Sequence, residues 1–156
     1  MNTGQPELLR DLPDGDVSDV MALGDRRSLP SGTVLFQLGA EADNIFLIER
    51  GRIKLTLPMQ LEGREEDIVV EERQPGETVG WSALIPPHRF TLKATAQMDT
   101  GVVALPRAAL MTLFAARPSV AYTVTRNVAV VIGQRLQVFQ AMWLREVQRV
   151  VELRRR

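Results

Sequence analysis

The run Gly76, Glu77, Thr78, Val79, Gly80, Trp81, Ser82, Ala83, followed shortly by His88, Arg89, Phe90 and Thr91, holds the residues best suited to chemistry in this chain. Gly80, Ser82 and Ala83 can offer backbone amides to an anion, and Arg89 is close enough in sequence to bring positive charge. Trp81 can stack on a flat ligand or seal a cavity, and sealing is the commoner use of a buried aromatic ring. The ligand such a set would take is a small anion or a nucleotide, and nothing in it calls for a resident cofactor.

Other chemistry is largely excluded. His88 is the single histidine and cysteine is absent. That rules out disulfides, thiolate zinc and iron–sulfur centres, a cysteine nucleophile, and any metal site built on two histidines. Glu62, Glu65, Glu66 and Asp67 lack the alternating ligands and the terminal bidentate Glu of a calcium loop, and read as a solvated hairpin tip. No metal site is expected. Serines and aspartates without a second His or a Lys at a recognisable spacing make no catalytic set, and no P-loop or dinucleotide fingerprint occurs, so no enzyme is expected. Arg154, Arg155 and Arg156 read as a solubilising end or the start of a linker.

Composition limits the partners. With 156 residues, 45% of them hydrophobic, the chain can bury a core as one compact domain. Nineteen basic residues balance nineteen acidic ones, so no global basic field exists to hold DNA or an anionic membrane. DNA binding by this chain alone is not expected. No apolar run approaches the roughly 18 residues of a membrane span. Met1 to Pro6 lacks the basic-then-apolar order of a signal peptide. A cytoplasmic protein is the expectation.

The elements that must position these residues follow from periodicity. Leu8, Leu9 and Leu12, then Val17, Val20, Met21 and Leu23, predict two short helices broken at Pro13 to Gly15. From Gly32 the period shifts to strands at 33–37, 44–48, 52–57 and 68–70, punctuated by Gly32, Gly39, Gly51, Gly63 and Gly76. Further strands are read at 90–96 and 101–105. Pro106 is placed at the first turn of a helix over 108–116, and Ser119 as the N-cap of a last, long helix. Along it Val128, Ile132, Leu136, Phe139, Trp143, Val147 and Val150 form a heptad seam. Its first half, Val120 to Val131, is expected to pack on the β domain. The second half finds no further element to cover it, which predicts a homodimer through this helix. Gly133 is read as permitting a kink or a close helix crossing, or as having no role.

Together these features resemble the cyclic-nucleotide-binding domain of the Crp/Fnr superfamily. The run from Pro30 to Gly39 is similar to that family's opening strand and turn, Ile45 to Leu55 to its next two strands, and Gly76 to Gly80 to the approach to its phosphate-binding cassette. The resemblance implies a mainly β fold with flanking helices: a double-stranded β-helix, or jelly-roll barrel, plus a long C-terminal dimerisation helix. It divides the chain into residues 1–118, holding the N-terminal helices, the barrel sensor and the short helix, and 119–156, the long helix.

In that family an Arg pairs with the cyclic phosphate and a Glu accepts from the ribose 2′-hydroxyl. Here Trp81 stands where the resemblance places that Glu, and indole offers only a donor. Counting back from Ala96 puts Phe90 at the Arg position and Thr91 at the Ser/Thr position, with Arg89 one residue early. On a strand that slip reverses the face. Gly80, Trp81, Ser82, Ala83, Arg89, Phe90 and Thr91 are therefore the expected ligand-binding set, with weak or absent cyclic AMP binding. Two functional readings stay open: a regulatory ligand-sensing domain in signal transduction or transcription, and a ligand-free dimerisation or protein-interaction module.

Overall fold

A computed structural model describes residues 4–156, so Met1 to Thr3 lie outside the described residues. The chain runs through a one-turn 3-10 helix at Glu7–Leu9, then α1 (Asp14–Ala22), β1 (Asp25–Leu29), β2 (Val34–Phe36), β3 (Asn44–Arg50), β4 (Ile53–Leu61), β5 (Arg64–Arg73) and β6 (Thr78–Val79). A second 3-10 turn, Trp81–Ala83, precedes β7 (Lys93–Ala96), β8 (Thr100–Pro106), α2 (Arg107–Ala116) and α3 (Pro118–Arg154).

The strands form two antiparallel four-stranded sheets, ordered β1-β8-β3-β6 and β2-β7-β4-β5. Every neighbour in these orders pairs antiparallel. This is a jelly roll, but among the described residues no ladder joins the two sheets. The expected barrel is thus an open pair of sheets around one core. Phe46 and Ile48 of β3, Ile53 and Leu55 of β4, and Ala94 and Ala96 of β7 are all buried in it. The first sheet is covered on its other side as well. Gly24 lies so close to β8 that an added Cβ would sit 2.3 Å from Val103 and 3.1 Å from Leu105.

Several boundaries differ from the sequence reading, each for a physical reason. The strand β1 was not anticipated, because four of its five residues are exposed and polar and only Leu29 is buried. The strand expected from Phe90 begins only at Lys93, because residues 88–90 pair instead with the turn at 39–42. Phe90 N–H donates to Ala40 O at 3.0 Å, and Gly39 N–H donates to Phe90 O at 2.8 Å. Pro106 ends β8 and stands just before α2. Pro118, with no N–H to satisfy, opens α3, and Arg117 rather than Ser119 precedes it without a side-chain cap.

The helix α3 carries two apolar stripes. Val124, Val128, Val131, Val138 and Met142 turn toward the sheets, the last two half-buried. Packing on the β domain therefore reaches Met142, beyond the expected limit at Val131, and Val128 belongs to this stripe and not to the seam. Leu136, Phe139 and Trp143 follow the inward positions Arg135, Val138 and Met142 by one residue each, about 100° around the helix, while half-buried Ile132 packs against the core. Leu136, Phe139, Trp143, Val147 and Val150 are exposed. Nothing lies within 4 Å of a Cβ built at Gly133, and α3 is continuous through it. One polar residue anchors the inward face: Asn127 Nδ2 donates to the Leu8 and Arg10 carbonyls, both at 2.9 Å.

Candidate functional site

The segment at Gly76–Gly80 runs along the edge of the first sheet beside β3. Gly76 N–H donates to Ile48 O at 2.8 Å and Ile48 N–H to Glu77 O at 3.0 Å, and β6 then pairs with Phe46 and Leu47. Gly80 has φ +84°, a left-handed backbone that glycine adopts without strain. A Cβ there would lie 3.2 Å from the Phe90 ring and 3.3 Å from Asn44 O. Glycine at this position therefore satisfies both the turn and the close approach of Phe90. The turn Trp81–Ala83 bonds within itself, Ala83 N–H to Gly80 O and Leu84 N–H to Trp81 O. His88 Nδ1 sits 3.2 Å from Ser82 O and fastens the following loop to it.

Here Gly80, Trp81, Ser82, Phe90 and Thr91 come together around one cavity, as the sequence grouped them. Two members of that group do not. Ala83 is wholly buried in the core, and Arg89 points outward, exposed, with Nη1 3.4 Å from Gly39 O. Arg89 and Phe90 are neighbours on an extended segment, bridged at Arg89 to Glu41, so their side chains take opposite sides. The cavity's volume is about 10 Å³, room for about one water. What fills the space is aromatic: Phe90 stacks on Phe36 with ring centroids 3.7 Å apart and planes 10° from parallel, and Phe36 stacks in turn on Phe46 at 6.0 Å.

Four lining residues were not anticipated: Phe36, Leu55, Leu92 and Arg135. Arg135 carried a legible signal, being the one charged residue on the inward row Val124, Val128, Val131, Val138 of α3. Its side chain is 9% exposed and Nε donates to Glu71 Oε2 at 2.6 Å. The other oxygen of Glu71 accepts from Arg73 Nη1 at 3.2 Å. Arg73, 4% exposed, also meets Glu7 at 2.6 Å and Glu77 at 3.1 Å, and its Nε donates to Thr78 O at 3.3 Å. Glu7 in turn accepts from Thr78 N–H at 3.0 Å. Burial pushes the Arg135 guanidinium below the ordinary arginine value, against the opposing pull of Glu71. Among the described residues no group of three or more His, Cys, Asp or Glu could hold a metal ion, and no helix is long and apolar enough to cross a membrane.

Two facing sheets, a cassette-like turn at their end and a long helix across it define a jelly roll of the cyclic-nucleotide-binding class. The Cyclic nucleotide-binding domain family model matches residues 26–117, more than half of the chain, and the chain belongs to that family. Its structural neighbours include cyclic-nucleotide-binding proteins and transcription regulators. A Geobacter metallireducens protein assigned to cyclic nucleotide binding is 26% identical, with a TM-score of 0.71 over 84% of this chain and 92% of that one. The N-terminal domain of a Streptomyces coelicolor transcriptional regulator is also 26% identical, with a TM-score of 0.68 over 82% and 89%. The Thermus thermophilus Catabolite Activator Protein is 25% identical, with a TM-score of 0.72, and 91% of this chain spans 63% of that one. Among curated proteins, none matches this sequence.

The ionic cluster generates a pH prediction. Burial raises the Glu7 carboxyl above its ordinary value, outweighing the opposing pull of Arg73 and of the Thr78 amide. The folded state therefore holds this proton to higher pH than the unfolded chain does, and the group's contribution to stability falls as pH rises upward from about 4.5. Glu7→Gln lacks this titration. Urea denaturation across that window should show the wild type losing stability relative to Glu7→Gln as pH rises. A constant difference between the two proteins would contradict the assignment.

Proposed function

We propose that this chain is a regulatory module of the Crp/Fnr kind, non-catalytic and cytoplasmic, which dimerises through α3 and takes no cyclic nucleotide in the family's manner. The observation that supports it is the stack of Phe90 on Phe36 beside Gly80, with Arg89 on the outer side. A drug-sized ligand needs a pocket of roughly 300–1,000 Å³, and the cavity here is about 10 Å³. The ribose carboxylate is replaced by Trp81, and the phosphate-facing position holds an apolar ring. Each lost charge-assisted hydrogen bond forfeits about 1.5–3 kcal/mol, so affinity should lie at least about a hundredfold below that of an intact cassette.

A ligand-sensing reading has one observation in its favour: Ser82, Thr91 and Arg135 bring polar groups to the rim of the same cavity. The ligand on that reading is a single small anion. On either reading this chain alone does not bind DNA, since its formal charge is zero and α3 presents no recognition-helix unit.

Calorimetry with cyclic AMP, cyclic GMP and cyclic di-GMP tests the proposal. Wild type should give no binding at micromolar ligand, and Trp81→Glu alone should not restore it. Trp81→Glu with Phe90→Arg should recover measurable affinity for cyclic AMP. Low-micromolar binding by the wild type would overturn the reading.

For the dimer, the exposed Leu136, Phe139, Trp143, Val147 and Val150 form an apolar face beyond what the jelly roll covers. Phe139→Glu with Trp143→Glu places charge in the seam and should yield a folded monomer by sedimentation. A wild-type monomer at micromolar concentration would contradict the proposed assembly.

A further inference from the structure

The contact between α3 and β5 includes an ion pair, Arg135 with Glu71. The inward row of α3 is aliphatic except for Asn127 and Arg135, and Arg135 is the residue nearest the cavity. Its partner Glu71 owes its direction to a break in the β4–β5 ladder. Leu55 pairs with Glu71 but Thr56 pairs with Val69, so Val70 is an extra residue on β5. Such a bulge shifts the alternation of the strand. Val70 is buried at the bulge, and Glu71 and Arg73 share the inward side after it, where a regular strand would have sent Glu72.

We propose that Glu71 is a built-in counterion, whose carboxylate holds the Arg135 guanidinium at the rim of the cavity and fixes α3 to the jelly roll with no ligand bound. This deepens, and rests on, the reading that the cavity takes no cyclic nucleotide. Glu71 cannot swing away easily, because its second oxygen is held by Arg73, which is itself tied to Glu7, Glu77 and Thr78 O. The remaining nitrogens of Arg135 have no hydrogen-bond partner among the described residues, so Glu71 is its one ion-pair partner there. The charges also argue for an internal occupant. Two guanidinium groups, Arg73 and Arg135, face three carboxylates, Glu7, Glu71 and Glu77, and the excess negative charge disfavours an incoming anion. The position of α3, which sets the seam a second copy would meet, then depends on the protein's own carboxylate.

Amide hydrogen exchange on the full chain tests this with three proteins: wild type, Glu71→Gln and Arg135→Met. Glu71→Gln keeps the side chain's shape and removes its charge, leaving Arg135 buried without a counterion. Amides from Leu136 to Met142 should exchange more than about tenfold faster, with β3 and β8 unchanged. Arg135→Met keeps the apolar stem and leaves the partners of Arg73 in place, so it should loosen the same stretch even if Glu71→Gln fails to fold. Wild-type protection along Leu136 to Met142 in Arg135→Met, or in a folded Glu71→Gln, would overturn the proposal. Added cyclic AMP should leave the wild-type pattern unchanged. If it instead slows exchange at Gly80 to Ser82 of the wild type, the reading of the cavity fails, whatever the variants show.

Discussion

A guanidinium taken out of water must be met by charge on several sides, and Arg73 imposes that condition where the chain's distant parts converge. Removing one partner from such a buried pair costs about 3–5 kcal/mol, so its neighbours are not free to wander. Glu7 brings in the N-terminal turn, whose own N–H donates to Gly76 O at 2.8 Å. Glu77 and Thr78 bring the turn before the cavity, and Glu71 carries the contact on to Arg135 of α3. Asn127 then holds the same N-terminal turn from the helix side. The N-terminal segment, β5, the cassette-like turn and the long helix therefore share one joint.

Beside that joint the end of the jelly roll is apolar and full. A Cβ at Gly80 would press on the Phe90 ring at 3.2 Å, so the glycine leaves the Phe36–Phe90 stack its room, and the pairing of residues 88–90 with the 39–42 turn holds Phe90 beside it. A fold hosts many functions and its site decides among them. Membership of the cyclic-nucleotide-binding family is carried by the sheets and turns. At the rim, Trp81 and Phe90 are aromatic, and Arg89 is exposed.

The sequence made the architecture legible where periodicity is strong. The glycine-separated strands, the α2 and α3 helices and the grouping of Gly80, Trp81, Ser82, Phe90 and Thr91 were all readable. So was the opposition of Arg89 and Phe90, because neighbours on an extended segment face opposite ways. Three things were hidden. The strand β1 reads Asp25, Arg26, Arg27, Ser28, Leu29 and is held by its pairing with β8, a long-range contact with no local signature. The bulge at Val70 inverts the phase of β5, so simple alternation assigns Glu71 to the wrong side. Finally, the seam on α3 mixed two stripes, because rows offset by one residue both show heptad spacing. Burial of Val128 and exposure of Leu136 separate them.

The central claim is that the cavity beside Gly80 is closed by the protein's own aromatic rings. Nitrogen–proton correlation spectra of the full chain, followed residue by residue during addition of cyclic AMP, test it most directly. The account predicts that the amides of Gly80, Trp81, Ser82, Phe90 and Thr91 keep their positions through millimolar nucleotide. Saturable shifts at those amides at micromolar nucleotide, with the Phe90 ring leaving Phe36, would contradict it.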